Sequence, residues 1–269
     1  MVDYKEVKFF TFSFFMFIMN FVYILGTAGS GKSTLASSLL DTLRAAELNV
    51  ISVNLDPGVR WLPYYPEVDI REYIDYDKIV EEYQLGPNGA LIVCVDTAVN
   101  YIEKMREEIE KFEPDYVIVD TPGQLELFAY RDSGRFITSA LSKNNFSIIF
   151  LADAIFLNRP SDFVSIMLLA YSVQARFKAP QINCISKIDL LSEDVMEKAL
   201  QWVTEPLSLK ESFFSEIADI KGEFSERIFD ILLEIGGPGE FLLVSSYTGQ
   251  GMTDLFAQLQ RIHTGGIDI

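Results

Sequence analysis

Residues 21–34 read Phe21-Val22-Tyr23-Ile24-Leu25-Gly26-Thr27-Ala28-Gly29-Ser30-Gly31-Lys32-Ser33-Thr34. Five apolar residues run into a turn that satisfies G-x-x-x-x-G-K-[ST], and a helical stretch follows. Strand, glycine-rich turn and helix in that order are the setting of a P-loop. Small residues from Gly26 to Gly31 let the backbone wrap phosphate groups, and the loop amides and helix N-terminus offer a positive dipole. On this reading Gly26, Thr27, Ala28, Gly29, Ser30, Gly31, Lys32, Ser33 and Thr34 line a bound nucleotide. Lys32 reaches the β- and γ-phosphates, and Ser33 supplies a hydroxyl ligand to Mg²⁺.

Around this stretch short β-branched runs alternate with longer helical ones, the pattern of a parallel sheet covered on both faces. Strands are predicted at Phe21–Leu25, Val50–Leu55, Tyr116–Asp120, Ser147–Ala152, Gln181–Ile185 and Leu242–Ser245. The expected fold class is α/β: a three-layer P-loop NTPase with a mainly parallel central sheet and a helical insertion near the C-terminus. Right-handed crossovers then gather the strand C-terminal ends on one edge, where ligands of open α/β sheets bind. Two stretches depart from the alternation. Residues 57–89 are rich in Pro, Tyr and acidic residues and hold a short helix-like run, Asp77–Leu85, before Gly86-Pro87-Asn88-Gly89. Residues 192–239 have helical periodicity, end in Gly236-Gly237-Pro238-Gly239, and read as an insertion or lid over the sheet edge.

The 269 residues carry 22 basic and 39 acidic side chains, a formal charge of -17. That balance repels nucleic acid and anionic lipid, so bound phosphate needs a local positive site. Cys94 and Cys184 fit no metal-ligand or C-x-x-C spacing and read as reduced core residues, which suggests a cytoplasmic protein. Phe9 to Leu25 is almost continuously apolar. Its second half is committed to the strand before the P-loop, and Phe9 to Ile18 is too short to cross a bilayer. Residues 1–18 are expected to be a dispensable extension or a mis-assigned start, and residues 19–269 a single P-loop domain.

Further motifs fall at predicted strand ends. Asp120-Thr121-Pro122-Gly123-Gln124 follows the apolar run 116–119, so Asp120 is expected to hold a water of the Mg²⁺ shell and the Gly123 amide to face the γ-phosphate. Asp56, in Asn54-Leu55-Asp56-Pro57-Gly58, either joins the metal shell, orients water, or is a turn residue before Pro57. Ser186-Lys187-Ile188-Asp189 stands where a guanine-reading N-K-x-D would. There Asp189 accepts from the N1–H and exocyclic amine, and the Lys187 stem covers one face of the base. Ser186 replaces Asn, so its contact to the base and its tie to the P-loop are expected to be lost or weakened. Ser245-Ser246-Tyr247 ends the last strand, where a backbone amide would read the guanine O6. These features favour GTP over ATP.

With these motifs in this order, the chain resembles the GPN-loop GTPases, a dimerisation-activated class of P-loop proteins. The resemblance covers nearly everything from Met19 onward. It rests also on Asp69-Ile70-Arg71-Glu72, Gly86-Pro87-Asn88-Gly89-Ala90 and Glu126 after the Asp120 motif. Small size without fused domains looks like an archaeal-type member. The resemblance implies a homodimer binding GTP and GDP, in which Gly86, Pro87 and Asn88 approach the phosphates of the other subunit. Thr27 stands where deviant Walker A relatives place an intersubunit lysine, so charge stabilisation must come from elsewhere. Asn88 offers amide hydrogen bonds from a stiffened loop; a plain helix-ending turn is the simpler alternative. Asp56, Gln124, Glu126 and Asn88 all remain open as the residue that orients water.

The resemblance further implies a nucleotide-driven motion of the 192–239 helices and a protein client, the family being associated with RNA polymerase assembly and nuclear import in eukaryotes. Phe213, Phe214, Ile217, Phe224, Ile228, Phe229, Ile231 and Leu232 give that region an apolar face, read as core before client groove. Competing readings are a P-loop kinase, disfavoured by the scarcity of arginine in the insertion, and a non-catalytic GTP-dependent scaffold. His263, the one histidine, reads as a solvated helix-end residue.

Overall fold

In the computed structural model, which describes residues 19–216, 222–234 and 241–264, seven strands form one all-parallel sheet. They are β1 (Asn20–Gly26), β2 (Val50–Asn54), β3 (Val68–Asp69), β4 (Tyr116–Asp120), β5 (Phe146–Asp153), β6 (Gln181–Ser186) and β7 (Phe241–Leu243), in the order β3-β2-β4-β1-β5-β6-β7. Each predicted strand is present within a few residues. The addition is β3, whose two residues are too short for alternation to reveal. From β1 at the centre the chain moves outward through β2 and β3, returns as β4 on one side of β1, and crosses to β5 on the other. The P-loop therefore leaves the sheet where the winding reverses, the ligand crevice of such folds.

Period-two alternation along β1 sends Phe21, Tyr23 and Leu25 into one core and Val22 and Ile24 into the other. The second core is closed by α1 (Lys32–Ala45), whose Leu35, Ala36, Leu39, Leu40 and Leu43 recur at helical spacing. The first lies under α2 (Tyr76–Tyr83), α3 (Pro87–Ala98), α4 (Ile102–Glu110), α5 (Leu125–Phe128), α6 (Asp132–Ser142) and α7 (Pro160–Phe177). Then come α8 (Glu193–Thr204), α9 (Pro206–Glu216), α10 (Gly222–Glu234) and, back beside α1, α11 (Met252–Thr264). Among the described residues no helix is long and apolar enough to cross a membrane.

Three local expectations change. The helix placed at 77–85 is Tyr76–Tyr83, because Asp75 caps its start by accepting from the Lys78 amide and Gln84, at φ 52°, ends it. Gly86-Pro87-Asn88 is not a helix-ending turn. Gly86 caps α3 and Pro87 takes its first turn, where the missing N–H costs nothing. In the described part of 192–239, read from the sequence as an insertion or lid, α9 and α10 pack on α7 as a continuation of the core, with Leu209, Phe229 and Leu232 buried and Phe213 and Ile228 against them. Ile231 stays outside the core at 56% exposure. Residues 1–18, Ile217, the Phe224 side chain and residues 236–239 lie outside what is described.

His263 is not a solvated helix end. Its Nε2 lies 3.0 Å from the Ser147 hydroxyl and its ring meets Tyr116 edge-on. Burial lowers its pKa from 6.5 to about 4, so the folded protein holds it neutral where the unfolded chain would take a proton. That contribution to stability is present above pH 6.5 and is lost as pH falls towards 4. Urea unfolding at pH 7.5 and pH 5 should show a smaller acid-side decline for His263→Gln than for the unsubstituted chain; equal declines would contradict the assignment.

Candidate nucleotide site

The P-loop turns sharply as it leaves β1. A Cβ on Gly26 would stand 2.0 Å from the Leu151 carbonyl oxygen, so only glycine passes. Gly31, at φ 88°, caps α1 in the left-handed region without strain. Ala28 and Gly29 are exposed, Ser30 is buried, and Thr34 lies on the outer face of α1. Lys32 is 6% exposed. Its Nζ donates to the carbonyls of Gly26 at 3.1 Å, Thr27 at 3.0 Å and Gly123 at 2.9 Å. Burial holds the ammonium below the ordinary lysine range, opposed by Asp120, Asp56 and Glu126.

Asp120 ends β4 at 1% exposure. Burial raises its pKa to about 6, with Asp56 adding to the rise and Ser33, Tyr64 and Lys32 opposing it. One oxygen, Oδ2, accepts from the Tyr64 hydroxyl at 3.0 Å, whereas Oδ1 is buried with no hydrogen-bond partner. Asp56 is clamped at the neighbouring strand end: Oδ1 accepts from the Gly58 amide at 2.9 Å and Oδ2 from the Gly123 amide at 3.1 Å. Burial still raises its pKa. Asp56 is therefore both a turn residue and a partner of the loop expected to sense phosphate.

Among the described residues no three His, Cys, Asp or Glu side chains cluster as a metal cage. The donor set instead suits Mg²⁺, which takes one or two carboxylates and completes its octahedron with water and phosphate oxygens. The orphaned Oδ1 of Asp120, beside Ser33, passes that test. Ser33 and Asp120 would hold the ion or its waters, with Asp56 behind them. When bound, Mg²⁺ would neutralise charge on the phosphate oxygens.

The base-side residues come together at the other end of the P-loop. Ser186 is buried, and its hydroxyl lies 2.6 Å from the Ser30 carbonyl oxygen and 3.1 Å from that of Ala152. The expected loss of the tie to the P-loop is thus corrected: the smaller side chain makes that tie through its hydroxyl. Lys187, at φ 60°, donates from Nζ to the Gly29 carbonyl at 2.6 Å and pairs with Asp153 at 2.6 Å, which stretches its stem across the loop. Asp189 is exposed, and its Oδ1 accepts from the Ser245 hydroxyl at 2.5 Å. Ser245 also accepts from the Thr248 amide at 3.1 Å, so its side chain orients Asp189 and shapes the turn. Ser246 and Tyr247 follow on that turn, Tyr247 at 89% exposure.

Gly86, Pro87 and Asn88 are exposed at the start of α3. Asn88 meets the phosphate side of its own chain: Gln124 Nε2 donates to its Oδ1 at 3.0 Å. Residues given no role from the sequence complete the surroundings. Asn54 donates to the Asp69 carboxylate at 2.9 Å and to the Asp56 carbonyl at 3.2 Å, and Asp69 pairs with Arg71 at 2.6 Å. A polar residue closing a mostly apolar run was the available signal for Asn54 after Val50–Val53 and for Asp153 after Ile148–Ala152. Tyr64 carried none.

The family described as "Conserved hypothetical ATP binding protein" matches residues 24–265. A GPN-loop GTPase of Pyrococcus abyssi is 32% identical over 245 residues, covering 87% of this chain and 93% of that protein. GPN-loop GTPase 1 of Dictyostelium discoideum is 29% identical over 88% of this chain, which spans 60% of the relative's length. The apo-form crystal structure of a Pyrococcus abyssi GTPase superposes with a TM-score of 0.78 at 29% identity, covering 92% of this chain and 98% of that one. With its motifs in place along a shared fold and the match running through nearly all described residues, the chain belongs to the GPN-loop GTPase family.

Proposed function

We propose that this protein is a Mg²⁺-dependent GTP hydrolase working as a homodimeric, nucleotide-controlled switch. The observation that carries the reading is the division of labour along one P-loop. Lys32 bonds the Gly26, Thr27 and Gly123 carbonyls and Asp56 accepts from the Gly123 amide, while Ser186 and Lys187 are tied to Ser30 and Gly29 and Asp189, next along the same segment, is braced by Ser245. A carboxylate there accepts from the two donors on guanine; adenine presents no such pair. This favours GTP despite the ATP wording of the matched family.

In the reaction water attacks the γ-phosphorus, the bond to the β,γ-bridging oxygen breaks, and GDP and phosphate leave. Lys32 and the loop amides meet the charge that develops on the phosphate oxygens. Gln124, whose Nε2 donates to Asn88 Oδ1 at 3.0 Å, is the group that this reading assigns to orienting the water. The exposure of Gly86, Pro87 and Asn88 supports their entry into the partner's site, as does membership of the family. That membership also supports a cytoplasmic role in assembling a large complex such as RNA polymerase, with the 192–239 helices as the moving part. One observation favours a second reading: Asn88 touches Gln124 of its own chain, so the loop would serve its own site.

Turnover by an equimolar mixture of Lys32→Ala and Asn88→Ala separates the two. Each variant alone should be nearly inactive. If the loop acts in trans, random exchange gives one intact site in half of the dimers, about a quarter of the unsubstituted sites. No restoration would favour action within one chain, and full activity of Asn88→Ala alone would remove the loop from the mechanism. Base reading has its own test. Asp189→Asn should weaken GTP binding by about a hundredfold or more while improving xanthosine triphosphate, whose ring offers an acceptor where guanine offers an amine. Unchanged GTP affinity would contradict the role given to Asp189.

A further inference from the structure

The two oxygens of the Asp120 carboxylate are in different circumstances. Oδ2 receives the Tyr64 hydroxyl hydrogen at 3.0 Å, and Oδ1 has no partner although the residue is almost wholly buried. A carboxylate oxygen left unpaired at that depth is unfavourable unless a further group completes it. Tyr64 belongs neither to the P-loop nor to the β4 end, but to the loop between β2 and β3.

That loop holds the tyrosine from both sides. The Ser37 hydroxyl of α1 donates to the Pro63 carbonyl at 3.4 Å, and the Ser52 hydroxyl of β2 donates at 2.7 Å to the carboxylate of Glu67, on the same loop after Tyr65. Glu67 then accepts from the Ser52 amide at 2.6 Å and pairs with Arg44 at 3.0 Å. The Tyr64 ring itself packs against the core beneath α1. The Tyr64 hydroxyl donates its single hydrogen to Oδ2 of Asp120 at 3.0 Å. Its proton is thus delivered from a fixed place to one chosen oxygen.

We propose that Tyr64 is a positioning residue for the Mg²⁺ site: by occupying Oδ2 it fixes the carboxylate plane and commits Oδ1 of Asp120 to the water shell of the ion. The inference rests on the Mg²⁺-nucleotide reading above. It assigns Tyr64 the part that outer hydrogen-bond partners play at metal sites, where their loss weakens metal binding without removing a ligand.

Calorimetric GDP binding by the full chain, with Mg²⁺ varied from chelated to millimolar, tests this apart from turnover. Tyr64→Phe keeps the ring and deletes one hydroxyl. In chelator its GDP affinity should equal that of the unsubstituted chain, whereas the Mg²⁺ concentration giving half of the affinity gain should rise about tenfold. An identical Mg²⁺ dependence in both proteins would overturn the role of Tyr64 and leave the nucleotide site standing. Weaker GDP binding already in chelator would overturn it too, since the hydroxyl would then be supporting the loop's fold. Absence of any Mg²⁺ effect in the unsubstituted chain would overturn the inference together with the reading it rests on.

Discussion

The Lys32 ammonium donates to the consecutive Gly26 and Thr27 carbonyls at the start of the P-loop and to the Gly123 carbonyl beyond β4. One buried cation therefore joins two strand ends that are adjacent in space but about ninety residues apart in sequence. Its position requires the close passage of Gly26 against Leu151, which in turn requires β1 between β4 and β5. Asp56 and Asp120 balance its charge. Their own pKa values are raised by the same burial, so the three groups form a site that gains from an incoming cation and anion together.

The side chains proposed to recognise nucleotide are tied to that loop at several points. Lys187 lies over it through Gly29, Ser186 reaches it through Ser30, and Lys32 closes it from beneath. Side chains proposed for the base side and for the phosphate side thus share one short backbone segment. Asn54, Asp69 and Arg71 extend the network towards the loop that carries Tyr64. The apolar surface of α9 and α10, by contrast, is largely spent on the core around Phe229 and Leu232.

The fold was legible because its central strands are apolar runs ending in chemistry: Phe21–Leu25 before the P-loop and Tyr116–Val119 before Asp120. The two-residue β3 was not legible, since its pairing depends on the tertiary placement of β2. Sequence spacing also located Lys32, Asp56, Asp120, Gly123 and Asp189 at one sheet edge. It could not indicate that Ser186 holds Ser30 by its hydroxyl, that Gly86 caps a helix instead of ending one, or that His263 is packed against Ser147. These depend on side-chain reach, backbone conformation and burial across long sequence separations. Tyr64 is the extreme case, an ordinary aromatic residue in an irregular loop whose importance comes from the single oxygen it meets.

The central claim is that one P-loop site reads guanine at Asp189 and holds its phosphates with Mg²⁺ at Lys32, Ser33 and Asp120. The most direct measurement is equilibrium binding of GDP and ADP to the unsubstituted protein in the same Mg²⁺ buffer. The account predicts GDP tighter by at least about a hundredfold, because an unmatched carboxylate rejects the adenine ring. Equal affinity for the two diphosphates, or tighter binding of ADP, would contradict it.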